Sequence, residues 1–284
     1  MEFRVFGFKV KKNFKDLLEL KKEFETTLDK RKKEFLTSKT RAINEEEQTK
    51  GTSSKREKVY ELKFRNFLEG ISKYNFFSNN TLNICFYTEK ENKREGITYS
   101  FKRYNERDIC NKSPPEVYKK YYFWFKNANE GIVFASGGNP KATEYLLISK
   151  ISSILPIEIE SELKYDNSKV AEIFEDFRKE NKVISLNDIR ISAKIPNQEK
   201  PIYKTIIFDD VGSYEYYDKL SSGFNNILID KFSAEMELDD HKKFKFIFKS
   251  KLDFYPISTS LKSRAHETYS KLFEWLGNLL FNLS

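Results

Sequence analysis

The apolar residues of this chain change period along its length. Between Asn13 and Phe35, the residues Phe14, Leu17, Leu18, Phe24, Leu28 and Phe35 fall at helical spacing, with Lys, Glu and Asp on the other faces. From Thr81 onward most apolar residues alternate instead, the period of a strand with one face turned inward. A chain that switches between the two periods in this way is expected to be α+β, a mostly antiparallel sheet with flanking amphipathic helices.

"EFRVFGFKV" (2–10) is expected to be a strand ahead of the first helix, and "NEEEQTKGTSSKREK" (44–58) a loop without periodicity. Val59, Tyr60, Phe64, Phe67, Leu68 and Ile71 then predict a second helix, antiparallel to the first. "TLNICFYT" (81–88) and "GITYSFKRY" (96–104) predict a hairpin, and Ser113, Pro114 and Glu116 the capped start of a short helix before the strand "YYFWFK" (121–126). Residues 130–155 predict a strand, a turn at Gly137 and Gly138, and a helix. Further strands are expected at 157–165, 188–195, 204–209, 227–238 and 244–251, with helices at 167–180 and from about Leu261. The organisation expected is a basic region 1–115 with a helix pair and an α+β region 116–284, or one compact unit of both.

The 26 Phe and 16 Tyr require a ring-rich interior. Two cysteines, Cys85 and Cys110, make no disulfide framework, and neither a leader-like start nor an apolar run of about 18 residues is present. A cytoplasmic protein with no membrane contact and no cofactor is the expectation. Charge is divided unevenly: residues 1–130 hold 30 Lys+Arg against 20 Asp+Glu, and residues 131–284 hold 21 against 23. A polyanion would meet the N-terminal part first.

Two stretches share an outline. Phe123 and Phe125 match Phe246 and Phe248 at one offset; Leu147, Ile151 and Leu155 match Leu272, Leu276 and Leu280 at a second, two residues longer. A two-fold strand-turn-helix pseudo-repeat would place both helices on one face of a shared sheet. "IVFASG" followed by a helix resembles the ending of each repeat in the TATA-binding-protein fold, except that a further strand precedes the helix there. That resemblance implies a pseudo-symmetric sheet with one open face.

Little of this invites catalysis. "SGGNPKAT" matches neither common phosphate-loop pattern, so Gly137 and Gly138 are read as a turn before a helix capped at Asn139 and Pro140. Glu158, Glu160 and Glu162 alternate on one strand, as do Glu235, Glu237 and Asp239, and such rows can hold a divalent metal. "ELK" (162–164) resembles the E-x-K element of restriction-type nucleases, which implies a partner Asp shortly upstream; none stands between Asp108 and Asp166. A three-residue turn at 240–242 would set Glu237 opposite Lys245 and Asp239 opposite Lys243, making these acids cross-strand partners. His241 and His266 lack zinc-site spacing, and Cys85 is expected to be a buried apolar residue.

Recognition of nucleic acid remains. The stretch from Lys90 to Lys126 interleaves Lys93, Arg94, Lys102, Arg103, Arg107, Lys119, Lys120 and Lys126 with tyrosines and Trp124. Cationic side chains neutralise phosphates, and exposed rings stack on nucleobases. Tyr122, Trp124 and Lys126 share one strand face and are the expected surface platform. The reading is a non-catalytic DNA- or RNA-binding protein, with a protein-interaction subunit as the alternative and a metal-dependent nuclease third.

Overall fold

The computed structural model describes residues 2–49, 68–89, 98–104, 107–113, 116–136, 140–163, 167–179, 183–193, 227–237, 243–249, 252–256 and 265–282. In chain order the elements are β1 (Glu2–Val10), α1 (Leu17–Thr49), β2 (Glu69–Phe76), β3 (Thr81–Glu89), β4 (Thr98–Tyr104), β5 (Arg107–Ser113), β6 (Glu116–Phe125), β7 (Glu130–Ser136), α2 (Pro140–Leu146), β8 (Ile157–Glu162), α3 (Asn167–Lys179), β9 (Val183–Ala193), β10 (Ile227–Glu237), β11 (Lys243–Phe248), β12 (Leu252–Pro256) and α4 (Ala265–Asn282). After α2 the chain continues through a π-helical turn, Leu147–Ile151, and one last turn, Ser152–Ile154. The class is α+β.

The residues gather into two compact units that interleave in sequence. One holds Met1–Leu20, Phe76–Leu82 and Tyr122–Ser284; the other holds Lys21–Asn75 and Asn83–Tyr121. A single cut near residue 115 does not reproduce them, because α1, β2, β3 and β6 each contribute residues to both.

The first unit is built around β1. Its Phe3 and Val5 point to one face of the sheet and its Phe6 and Phe8 to the other, and all four are buried. A strand apolar on both faces has to lie inside a covered sheet. β7 runs antiparallel along one edge from Phe3 to Lys9, while the other edge is divided between β12, at Glu2 and Phe3, and β8, at Phe6 to Val10. The strand order there is β6–β7–β1–β12–β11–β10–β9, and the pairs of known register are all antiparallel. Phe3 and Val5 join Tyr122, Trp124, Ile132 and Phe134, together with Phe232, Phe244, Phe246 and Phe248, in one ring-rich core. Two helices add their apolar stripes to it: Val170, Ile173, Phe174 and Phe177 from α3, and Leu272, Phe273, Leu276 and Leu280 from α4. Each such side chain contributes on the order of 1.5–3 kcal/mol by leaving water.

The second unit carries α1 from Lys21, strands in the order β2–β3–β6, and the hairpin of β4 with β5. Phe24, Leu28 and Phe35 of α1 are buried, as are Ile71, Ile84, Phe86, Tyr87 and Tyr121 of the strands. Phe35 lies 5.2 Å from the Tyr87 ring, between centroids, and against the backbone at Gly70.

Several expectations are corrected. Residues 69–76 form a strand, not the end of a second helix, because Tyr74 and Phe76 alternate with the exposed Lys73 and Asn75; residues 59–67 lie outside the described residues. α1 runs on to Thr49 through positions expected to be loop. β3 lies between β2 and β6, and β4 pairs with β5 rather than with β3. Ser113 ends a strand and Glu116 begins one, so no helix is capped there. Glu237 stands opposite Lys243 and Glu235 opposite Lys245, so the register differs by two residues. An even shift leaves every side chain on its expected face, with Met236 opposite Phe244 where the expected register set it opposite Phe246. Residues 204–209, Gly137, Gly138, Asn139 and Asp239 lie outside the described residues.

The two similar stretches do occupy related places. Hairpins β6–β7 and β11–β12 flank β1, and in each the inner strand runs antiparallel to it. Units arranged in this way are exchanged by an axis along β1, which also exchanges the faces of the sheet. Accordingly α4 packs with Phe3 and Phe134, whereas Leu147, Ile151 and Leu155 are buried outside that core. The expectation of two helices on one face is therefore corrected. The open face implied for the sheet is absent at β1, where both sides are buried; β10 and β11 keep a half-exposed side bearing Lys231, Glu235, Glu237 and Lys245.

Gly277 of α4 lies directly on the Trp124 indole, and a Cβ there would come within 2.2 Å of the ring. In a free helix Gly→Ala gains about 1 kcal/mol. Here Gly277→Ala is expected to reverse that sign and destabilise the protein by about 1–3 kcal/mol, read by denaturant unfolding followed through tryptophan fluorescence.

Candidate nucleic-acid interface

The expected platform does not form. Tyr122 is 6% and Trp124 3% exposed; Tyr122 stacks on Phe273 at 4.2 Å and Trp124 meets Phe281 edge-on. The opposite face of β6, with Tyr121, Phe123 and Phe125, is buried as well. Alternation correctly separates the two sets but cannot tell which is covered, and here both are. Neither Tyr122 nor Trp124 is available to a nucleobase.

The basic residues have varied fates. Lys93 and Arg94 lie outside the described residues. Lys102 is opposite Ile109, Arg103 opposite Asp108, and Tyr104 opposite Arg107 in the β4–β5 ladder. Lys119 is half-buried and Lys120 exposed, on opposite faces of β6. Lys126, exposed in the turn after β6, lies over the Phe281 ring at 4.0 Å, beside a shallow groove of about 510 Å³ lined in part by Phe14, Leu18, Asn79 and Ala128.

The strongest run of positive charge is on α1. From Lys30 to Arg41 the helix carries Lys30, Arg31, Lys32, Lys33, Lys39 and Arg41 against the single acid Glu34. Packing divides these six. Lys32 and Lys39 fall on the flank of the buried stripe, where Lys32 lies over the Tyr74 ring at 5.9 Å and Lys39 over the Tyr87 ring at 4.5 Å, 3.6 Å from Glu116. Arg31 reaches Glu34 at 3.2 Å. Lys30, Lys33 and Arg41 remain exposed, and among the described residues none has an ion-pair partner. With Thr37 they recur at steps of three, four and four, one stripe of solvent-facing helix opposite Phe24, Leu28 and Phe35. The neighbouring hydroxyls are turned inward: Thr37 donates to the Lys33 carbonyl and Thr40 to the Leu36 carbonyl, each at 2.9 Å. A regional sum of charge hides this stripe. Its signal is nonetheless in the sequence, since the apolar residues from Phe24 to Phe35 fix which bases face out.

Hydrogen bonds between β3 and β6 fix the tyrosine on which Lys39 lies. The Tyr87 hydroxyl lies 3.1 Å from Glu89 and 3.1 Å from Glu116, and Tyr118 donates to the other Glu116 oxygen at 3.2 Å. Burial, followed by these two carboxylates, raises the Tyr87 hydroxyl far above the ordinary tyrosine range. Burial and a hydrogen bond to Asp29 of α1 raise Tyr74 in the same sense.

The acidic rows do not assemble a metal centre. β8 carries a bulge, with Glu160 and Ser161 set against Gly7, between the pairs Phe6–Glu162 and Phe8–Ile159. The bulge moves Glu162 off the face of Glu158 and Glu160, which corrects the expected row of three. Glu162 instead accepts from Arg4 at 2.6 Å, and Glu160 pairs with Lys9 at 2.7 Å and raises its pKa. Gly7 leaves room for this, since a Cβ would lie 2.8 Å from the Glu160 carboxylate. Among the described residues no group of three His, Cys, Asp or Glu side chains could hold a metal ion. Cys85 is a free thiol, half-buried rather than buried.

Neither the protein-family models nor the curated proteins compared with the chain give a match. Among the described residues no helix is long and apolar enough to cross a membrane.

A tyrosine held above its ordinary pKa of about 10 stabilises the fold fully below that pH and loses the contribution as pH rises past it, because the unfolded chain then ionises first. Stability is therefore expected to hold from neutral pH to about 9 and to fall above about 10. Tyr87→Phe should weaken that alkaline loss, measured by denaturant midpoints across pH.

Proposed function

We propose that this protein binds nucleic acid without catalysing a reaction, through phosphate contacts along the outer face of α1. The observation that carries the reading is the exposed stripe of Lys30, Lys33 and Arg41, which has no ion-pair partner among the described residues while its neighbours Arg31, Lys32 and Lys39 are engaged within the fold. Exposed ammonium and guanidinium groups release condensed counterions when they meet phosphates. The β4–β5 hairpin, with Lys102, Arg103 and Arg107, adds basic positions to the same unit. Stacking by Tyr122 and Trp124 has no part in it, since both are buried. Binding of this kind is strongly salt-dependent and tolerant of sequence.

The test is the slope of log affinity against log salt concentration. Each phosphate contact contributes about 0.9 to that slope on a duplex and about 0.7 on a single strand. The triple variant Lys30→Gln, Lys33→Gln, Arg41→Gln is expected to reduce it by about 2–3 while leaving thermal unfolding nearly unchanged. An unchanged slope, or no binding by the parent protein at low salt, would contradict the proposal.

A further inference from the structure

We infer that the α1 face fits the backbone of double-stranded DNA, with the helix laid across a major groove; this rests on the phosphate-binding reading above. The argument is one of spacing. An α-helix rises 1.5 Å per residue, so Lys33 and Arg41 are separated by about 12 Å along the axis and Lys30 and Arg41 by about 16 Å. The major groove of B-form DNA is about 12 Å wide, with a row of phosphates on each side. Lys30 and Lys33, one turn apart, then face one strand, and Arg41 faces the other. Beyond Arg41 the sequence turns acidic at Glu45, Glu46 and Glu47.

Other polymers match this spacing less well. A-form RNA has a deep, narrow major groove that does not present two phosphate rows at that width to a helix. A single strand has no second row at a fixed distance and depends on base stacking for much of its affinity. The two rings expected to stack, Tyr122 and Trp124, are buried. Thr37, between the two basic groups, has its hydroxyl hydrogen-bonded to the Lys33 carbonyl, so the stripe offers charge at its two ends and its central hydroxyl proton is already engaged. Base sequence should consequently matter little.

Fluorescence anisotropy with the full chain, at one low salt concentration, would compare a DNA duplex of about two turns, the RNA duplex of the same sequence and the single DNA strand. The expected result is DNA-duplex affinity at least about tenfold above either competitor. Neutral methylphosphonate linkages on either strand flanking the groove should weaken binding, with Lys33→Gln insensitive to those on one strand and Arg41→Gln to those on the other. Equal or tighter binding of the RNA duplex or single strand, or sensitivity confined to one strand, overturns the groove geometry and leaves phosphate binding standing. No binding to any of the three overturns both.

Discussion

The double-sided burial of β1 is the constraint on which the first unit depends. With Phe3 and Val5 on one side and Phe6 and Phe8 on the other, this strand is stable only where both faces are covered. It obtains that cover by pairing with β7 along one edge and by dividing its other edge between β12 and β8. Segments far apart in the chain are thereby brought into one sheet. Because β7 and β12 both run antiparallel to β1, similar hairpins on either side direct their following helices to different cores. The buried Tyr122 and Trp124 follow from the same arrangement, since the α4 core reaches across β6.

In the second unit the corresponding constraint is the seat of α1. Its apolar stripe fixes the rotation of the helix, and the polar contacts at its flanks divide six bases into two kinds. Lys32 and Lys39 lie over tyrosine rings, interactions worth about 0.5–1 kcal/mol each at partly exposed sites. Their charge is engaged within the fold. Lys30, Lys33 and Arg41 lie on the opposite side and add little to stability, so a partner can use them without cost to the fold. A surface whose exposed charges are collected on one helical stripe offers a polyanion more than the same number scattered evenly.

The α+β class and most strands and helices are legible in the sequence because period is a local property. The expected β10–β11 register is off by two residues and pairs Met236 with Phe246 instead of Phe244, yet it puts Met236 on the correct face, since parity decides the face. Three kinds of feature are not legible. Leu68 and Ile71 draw residues up to Ile71 into a helical pattern, although the alternation of Lys73, Tyr74, Asn75 and Phe76 that continues the same strand is present. The β8 bulge depends on the partner strand, through Gly7, and no reading of "IEIESE" alone would separate Glu162 from Glu160. The covering of the β6 face that bears Tyr122 and Trp124 depends on α4, at the far end of the chain, so these two rings look available from sequence. The α1 stripe is of another kind: it is legible, but only when each charge is assigned to a helix face before any sum over a region is taken.

The central claim is that Lys30 and Lys33 are contact points while a lysine outside that face, Lys243 of β11, is a bystander. Lysine acetylation of the folded protein, quantified residue by residue with and without saturating DNA duplex, tests it most directly. Protection confined chiefly to Lys30 and Lys33, with the exposed Lys243 of β11 modified at the same rate in both samples, is the predicted result. Equal modification of Lys30 and Lys33 with and without DNA would contradict the account.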